Sequence, residues 1–324
     1  MNIAMIEAAA SRLAGHVRET PLLSAPGLDR IAGRRVLVKA ECLQHTGSFK
    51  ARGGWAAVSA RGAGARGVIA LSSGNHAQGV ARAAAAFGLP AVIVMPTDAP
   101  GPKIDGTRAL GAELVLYDRA TEDREALAAG IAAARGLTLI RPFDDPQVIA
   151  GQGTVGLELA AQAAAAGVTD ADVLIPCGGG GLTAGVALAL EARAPGLRVR
   201  PVEPEGFDDT ARSLAAGRIV ANDARAGSLC DAILTPSPGR ITFPVMARLC
   251  GPGLVVTEGE ALRAMAAAFT QLRIVLEPGG AVALAAALFR AEAVTGDAVI
   301  VIGSGGNVAA ETFRMALGQD GEAR

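Results

Sequence analysis

Aromatic side chains are scarce: they make up 3% of the 324 residues, with one Trp and one Tyr. That removes the stacking platforms on which single-stranded nucleic acids are held. Neither sign of charge is in excess, with 30 basic against 31 acidic side chains and a formal net charge of −1. The basic face that a nucleic-acid partner requires is therefore missing. Cysteine is sparse and scattered: Cys42, Cys177, Cys230 and Cys250 form no C-x-x-C pair. Neither a disulfide framework nor a zinc cage is indicated. Long hydrophobic runs are also lacking; stretches such as AVALAAALF at 281–289 are too short to span a bilayer. The opening MNIAMIEAAASRLAGHVRET carries Glu7 inside its apolar part and has no basic start, so it reads as a helix and not as a secretory signal. These absences leave the expectation of a cytoplasmic globular protein, with no nucleic acid and no membrane among its partners.

What the chain does have is glycine, 42 of 324 residues or about 13%, against roughly 7% in average proteins. Short β-branched runs alternate with Ala-rich stretches. The pattern predicts strands over 36–40, 67–73, 91–96, 112–117, 137–140, 172–177, 197–203, 253–258 and 298–304. Helices are expected over Gly74–Phe87, Thr154–Ala166, Leu182–Ala194, Glu260–Ile274 and Ala281–Glu292. Continuous apolar strands separated by helices imply an α/β fold whose parallel-type sheets are flanked by helices on both faces. At roughly 150 residues per domain the length suggests two domains with the active site between them.

Most notable glycines fall where a strand ends and a helix begins, the place where open α/β sheets bind ligands. Lys50 follows a Gly-Ser turn in Thr46-Gly47-Ser48-Phe49-Lys50-Ala51-Arg52-Gly53. Desolvation and a nearby helix start favour the neutral amine, the nucleophilic form that makes a Schiff base; a lysine reaching to solvent is the plainer alternative. Ser72-Ser73-Gly74-Asn75-His76 gathers hydroxyls, an amide and backbone N–H groups at a helix start, suited to a carboxylate or simply to capping. Gly178, Gly179, Gly180 and Gly181 follow a strand and can turn consecutive N–H groups toward one phosphate. The same segment satisfies a loose dinucleotide fingerprint, Gly179-x-Gly181-x-x-Ala184, with Glu203 ending a strand about 20 residues on, so an NAD-dependent dehydrogenase is the different-class alternative. Gly303-Ser304-Gly305-Gly306-Asn307 forms a further small-residue turn.

In order, TGSFKARG, SSGNHAQG, IAGQGTVGLE, PCGGGGL, LEPGGA and GSGGN resemble the fold-type II pyridoxal-phosphate enzymes, in the branch of serine/threonine dehydratase, serine racemase and 3-hydroxyaspartate dehydratase. The resemblance runs from about Thr20 to Asn307. It implies a tryptophan synthase β-like fold, with residues 1–45 and 146–324 forming a large cofactor-binding domain and 46–145 a small one. Lys50 would carry pyridoxal 5′-phosphate, with Phe49 beside the ring. Gly178 to Gly181 would cradle the phosphate, Asn75 would bond the 3′-oxygen, and Ser304 would face the pyridine nitrogen. Ser72, Ser73, Asn75 and His76 would receive the substrate carboxylate. Lys50 is implied as the general base, and the cofactor phosphate as the proton donor to the leaving hydroxyl. Ser73 is implied as a second proton donor on the opposite face, which would permit racemisation.

The implied reaction is dehydration and deamination of a small β-hydroxy amino acid, L-threonine or L-serine, to a 2-oxo acid and ammonia. The alternatives are 3-hydroxyaspartate dehydration and serine or aspartate racemisation. Arg124 falls where racemase-like members place an arginine against a second carboxylate, and Thr235 matches a position that lies near the substrate side chain in the racemase. Glu203, Phe207 and Asp209 match a divalent-cation site, two carboxylates with a backbone carbonyl suiting Mg²⁺, Ca²⁺ or Mn²⁺. The family also implies a homodimer.

Overall fold

The computed structural model describes residues 1–318 apart from Ala63, Ser73, Pro100, Arg119 and Arg225. Two sheets organise it. The larger contains β1 (Leu22–Leu23), β2 (Arg35–Lys39), β7 (Ala171–Pro176), β8 (Leu197–Pro204), β9 (Leu254–Val256) and β10 (Ala298–Ile302), in the order β1-β2-β10-β7-β8-β9. The smaller contains β3 (Val68–Leu71), β4 (Ala91–Pro96), β5 (Glu113–Tyr117) and β6 (Thr138–Leu139), in the order β5-β4-β3-β6.

All nine expected strands are present. All pairings are parallel except that of β1, a two-residue strand that joins β2 antiparallel through Leu22 and Leu23. The sequence pattern missed it because two residues carry no alternation. The apolar runs are uninterrupted because helices cover both faces: β4, β7 and β10 are buried at every position.

The helix expected from Thr154 begins earlier, spanning Pro146–Ala165. Its glycines are contact points. A Cβ on Gly151 would meet the Arg52 carbonyl, one on Gly153 the Gly185 carbonyl, and one on Gly156 the Ala189 side chain. Gly54 and Gly79 likewise let the helices Lys50–Ser59 and Asn75–Ala86 cross backbone against backbone. Part of the glycine excess therefore sets helix spacing. The helix expected over Glu260–Ile274 runs from Glu258 to Ala267 and then widens into a π turn over Ala268–Leu272, ended by Arg273 at φ 61°.

Candidate active site

A cavity of about 700 Å³ opens between the carboxyl ends of the two sheets. Lys50, Phe49, Ser72, Asn75, His76, Arg124, Gly178 to Gly181, Thr235 and Ser304 all line it. Ser73 lies outside the described residues.

Lys50 opens the helix Lys50–Ser59 and donates from Nζ to the Pro142 carbonyl at 2.8 Å. Enclosure pulls its pKa down to about 8, with the Glu277 carboxylate opposing the shift. The ammonium also sits 5.0 Å from the Phe49 ring centre. Across the cavity the glycine turn packs with no room for side chains. Gly180 has φ 86°, and a Cβ there would lie 2.5 Å from Met246 Cε. A Cβ on Gly179 would fall on the Phe143 ring, and one on Gly181 would lie 2.5 Å from Gln152 Oε1. Among the described residues, no backbone acceptor takes a hydrogen bond from the amides of Gly178, Gly179 or Gly180. Thr183, in the first turn of the helix that follows, is buried and its hydroxyl makes no hydrogen bond, although the Cys177 thiol is close enough to feel it. Free amides, an unused hydroxyl and a helix start together fit a phosphate.

The Asn75 amide is held from both sides. Its Nδ2 donates to Glu277 Oε1 at 2.6 Å, and its Oδ1 accepts from Asn307 Nδ2 at 2.7 Å. Burial raises the Glu277 carboxyl to about 7. The His76 ring turns to the Ile140 carbonyl, 2.9 Å from Nε2, so Nε2 carries the hydrogen. Burial and the neighbouring Lys50 push its pKa down to about 3, and Nδ1 is buried without a partner. Ser304 accepts the Phe49 amide through its carbonyl at 3.2 Å. The Thr235 hydroxyl is also buried without a hydrogen bond.

Cations ring the mouth. Lys103 Nζ pairs with Asp231 Oδ2 at 2.6 Å, and Arg141 lies 3.9 Å from Glu125. Arg124 and Arg240 make no ion pair with any described residue. Sequence reasoning did not single out Pro142, Phe143, Gln152, Thr183, Arg240 or Glu277. Glu277 and Gln152 had a signal, the one before Pro-Gly-Gly in LEPGGA and the other within IAGQGTVGLE.

Glu203, Phe207 and Asp209 stand apart from the cavity. Both Glu203 oxygens accept amides, from Thr210 at 2.9 Å and Ala211 at 2.8 Å. The carboxylate thus caps the start of the helix Asp209–Ala216. Asp209 Oδ1 accepts from Asn222 at 2.6 Å, whereas Oδ2 has no partner. No cluster of three metal-ligating side chains occurs among the described residues, and no described helix is long and apolar enough to cross a membrane.

A lysine of lowered pKa facing a glycine-built anion cradle, both at strand ends of an α/β fold, defines an enzyme that holds a phosphorylated carbonyl cofactor. The pyridoxal-phosphate dependent enzyme family matches residues 13–305, and this chain belongs to it. It is 42% identical over 311 residues to an L-threo-3-hydroxyaspartate ammonia-lyase of Pseudomonas sp, covering 95% of this chain and 96% of that protein. It is 38% identical over 315 residues to a serine racemase of Oryza sativa subsp. indica, covering 95% and 91%. Among solved structures, a threonine deaminase of T.th. superposes with a TM-score of 0.90 at 45% identity, covering 95% of this chain and 99% of that one.

Proposed function

We propose that this chain catalyses pyridoxal-phosphate-dependent elimination from a small β-hydroxy amino acid, L-threonine or L-serine, giving a 2-oxo acid and ammonia. The observation that carries the reading is Lys50 Nζ, poised at the Pro142 carbonyl, in one cavity with the Gly178–Gly181 turn. When bound, the cofactor supplies an electron sink for the negative charge left at the substrate Cα. The remaining roles belong to the chain. The glycine amides and the Thr183 hydroxyl would hold the phosphate. Asn75, fixed between Glu277 and Asn307, would offer its remaining N–H to the cofactor oxygen. Ser304 would offer the ring nitrogen a hydroxyl and not an acid. The amides at the start of the helix Asn75–Ala86 receive the substrate carboxylate. Lys50, a neutral amine above about pH 8, takes the Cα proton and holds it near the Pro142 carbonyl.

A second reading, 3-hydroxyaspartate as substrate, is favoured by Arg124 and Arg240, two cations at the cavity mouth that pair with no acid among the described residues, and by the Pseudomonas relative. The division into residues 1–45 with 146–324 and residues 46–145 is supported by sheet membership. The unpartnered Asp209 Oδ2 supports a divalent cation bound with Glu203 and the Phe207 carbonyl. Exposed Ile31, Phe269, Val275 and Met315 are consistent with the homodimer also proposed.

The test is a visible absorbance scan with assay of the 2-oxo acid. Wild type shows the band of lysine-bound cofactor and forms product, and Lys50→Ala loses both; a band that persists in Lys50→Ala with unchanged turnover overturns the reading. Initial rates on the three candidate substrates, with Arg124→Ala and Arg240→Ala, decide between monocarboxylate and dicarboxylate. Chelation by EDTA, with and without Mg²⁺ restored, tests the cation by its effect on Tm.

A further inference from the structure

Behind Lys50, on the side of its helix away from the cavity, lies a closed cluster of four charges. Arg52 is fully buried, and its guanidinium meets two carboxylates. Nε and Nη2 donate to Glu41 at 2.8 Å each, and Nη1 and Nη2 donate to Glu158 at 2.6 and 2.8 Å. Lys39, also fully buried, donates to Glu158 at 2.6 Å and to the Thr20 carbonyl at 2.6 Å. Thr20 completes the ring by donating its hydroxyl to Glu41 at 2.5 Å. Two positive and two negative charges balance.

The helix start needs such an anchor. Phe49 occupies the N-cap position, and no side chain caps the helix. The turn leading in carries strain at Thr46, a β-branched residue held at φ 58°. Positions 50 and 52 stand about 200° apart around a helix of 3.6 residues per turn, so Lys50 faces the cavity while Arg52 faces the interior. Buried ion pairs contribute little net stability against well-packed apolar groups; their best-attested use is to fix one geometry.

We infer that Arg52 is a positioning residue: its two forked contacts, to Glu41 and Glu158, lock the first turn of the lysine helix so that Lys50 Nζ is aimed at the reacting centre. The inference rests on the reading that Lys50 carries the cofactor. The Glu41 fork ties the helix to the segment following β2, and the Glu158 fork ties it to the helix Pro146–Ala165. The lysine is thereby referenced to the larger sheet. Lysine at position 52 keeps the charge but cannot form two forks at once.

The experiment compares wild type, Arg52→Lys and Glu158→Gln, with Val92→Ala as a control that loses Tm by opening a cavity in a separate cluster with Val94, Tyr117 and Ala128. Three quantities are read: the rate at which the cofactor-stripped full chain recovers its visible band, the split between kcat and KM in the reloaded enzyme, and Tm. A displacement near 1 Å lowers kcat by roughly 10²-fold while KM stays within about two-fold. Band recovery is expected to slow in Arg52→Lys and Glu158→Gln but not in Val92→Ala. If Arg52→Lys does not fold, Glu158→Gln decides, since it keeps the Glu41 fork. Wild-type recovery and kcat in the folded variants, or losses that Val92→Ala reproduces at equal Tm, overturn the inference. Failure of the underlying reading shows differently, as a band that forms in Lys50→Ala.

Discussion

Replacing Thr183 with valine removes one buried hydroxyl while keeping the β-branched shape, and it shifts two measurable quantities in opposite directions. Thr183 is fully buried in the first turn after the cradle, and among the described residues only the Cys177 thiol comes near its hydroxyl, with no well-formed hydrogen bond. A buried polar group left unsatisfied costs roughly 1–3 kcal/mol. The cofactor-free valine chain is therefore more stable by up to that amount. At roughly 2–4 °C per kcal/mol for a domain of 150–250 residues, Tm rises by several degrees. With cofactor bound the sign reverses. A hydroxyl donating to a charged phosphate contributes roughly 1.5–3 kcal/mol. Its loss weakens the noncovalent hold on pyridoxal phosphate by roughly 10- to 150-fold. The assay is thermal melting with and without cofactor, paired with equilibrium dialysis to obtain Kd. The melting curves of wild type and Thr183→Val should exchange order when cofactor is added. A lowered Tm in the cofactor-free variant, or an unchanged Kd, refutes the assignment of Thr183 to the cradle.

Two further outcomes depend on pH. Cofactor capture by the stripped chain requires the neutral Lys50 amine, so its rate rises with pH and levels off above about 8; a midpoint near the ordinary lysine value of 10.5 contradicts the cavity's effect. Glu277 has a folded-state pKa of about 7 against 4.5 in the unfolded chain, so the folded state binds its proton more tightly. Its contribution is fully present below about pH 4.5 and is lost as pH climbs to about 7, amounting to roughly 3 kcal/mol. Glu277→Gln keeps the acceptor for Asn75 but cannot ionise, so urea melts of the cofactor-free chain should match wild type near pH 4.5 and exceed it above pH 7. A difference that does not vary with pH rejects this account.

The elements that bring the site together were legible because their signals are local. The strand preceding each glycine turn is a continuous apolar run, and Lys50, Asn75 and Gly178 to Gly181 sit immediately after such runs or turns. What was not legible is pairing over distance. Arg52 meets Glu158 across 106 positions, and Asn75 meets Glu277 across 202. No spacing rule encodes either. The helix Pro146–Ala165 was only half visible because Gly151, Gly153 and Gly156 lower helix propensity yet are required where neighbouring backbones approach. Thr183 gave no signal, since an unpaired hydroxyl is a property of its surroundings and not of its residue type.

The order of strands in the larger sheet has a consequence for how the protein is made. β2 finds its parallel neighbour in β10, whose residues Ala298–Ile302 pair with Arg35–Lys39. The ribosome must therefore deliver the residues through Ile302 before β2 can gain that partner. The strands of the smaller sheet are all translated by Leu139 and can pair while synthesis continues, before Val148 and Leu188 arrive to complete their core. During that interval Lys50 has been translated, but the Gly178 turn and Ser304 have not. A nascent or truncated chain ending before β10 thus exposes the flank of β2, a template for pairing with other chains, and carries no complete cofactor pocket. Cofactor loading should begin only after the final strand has docked.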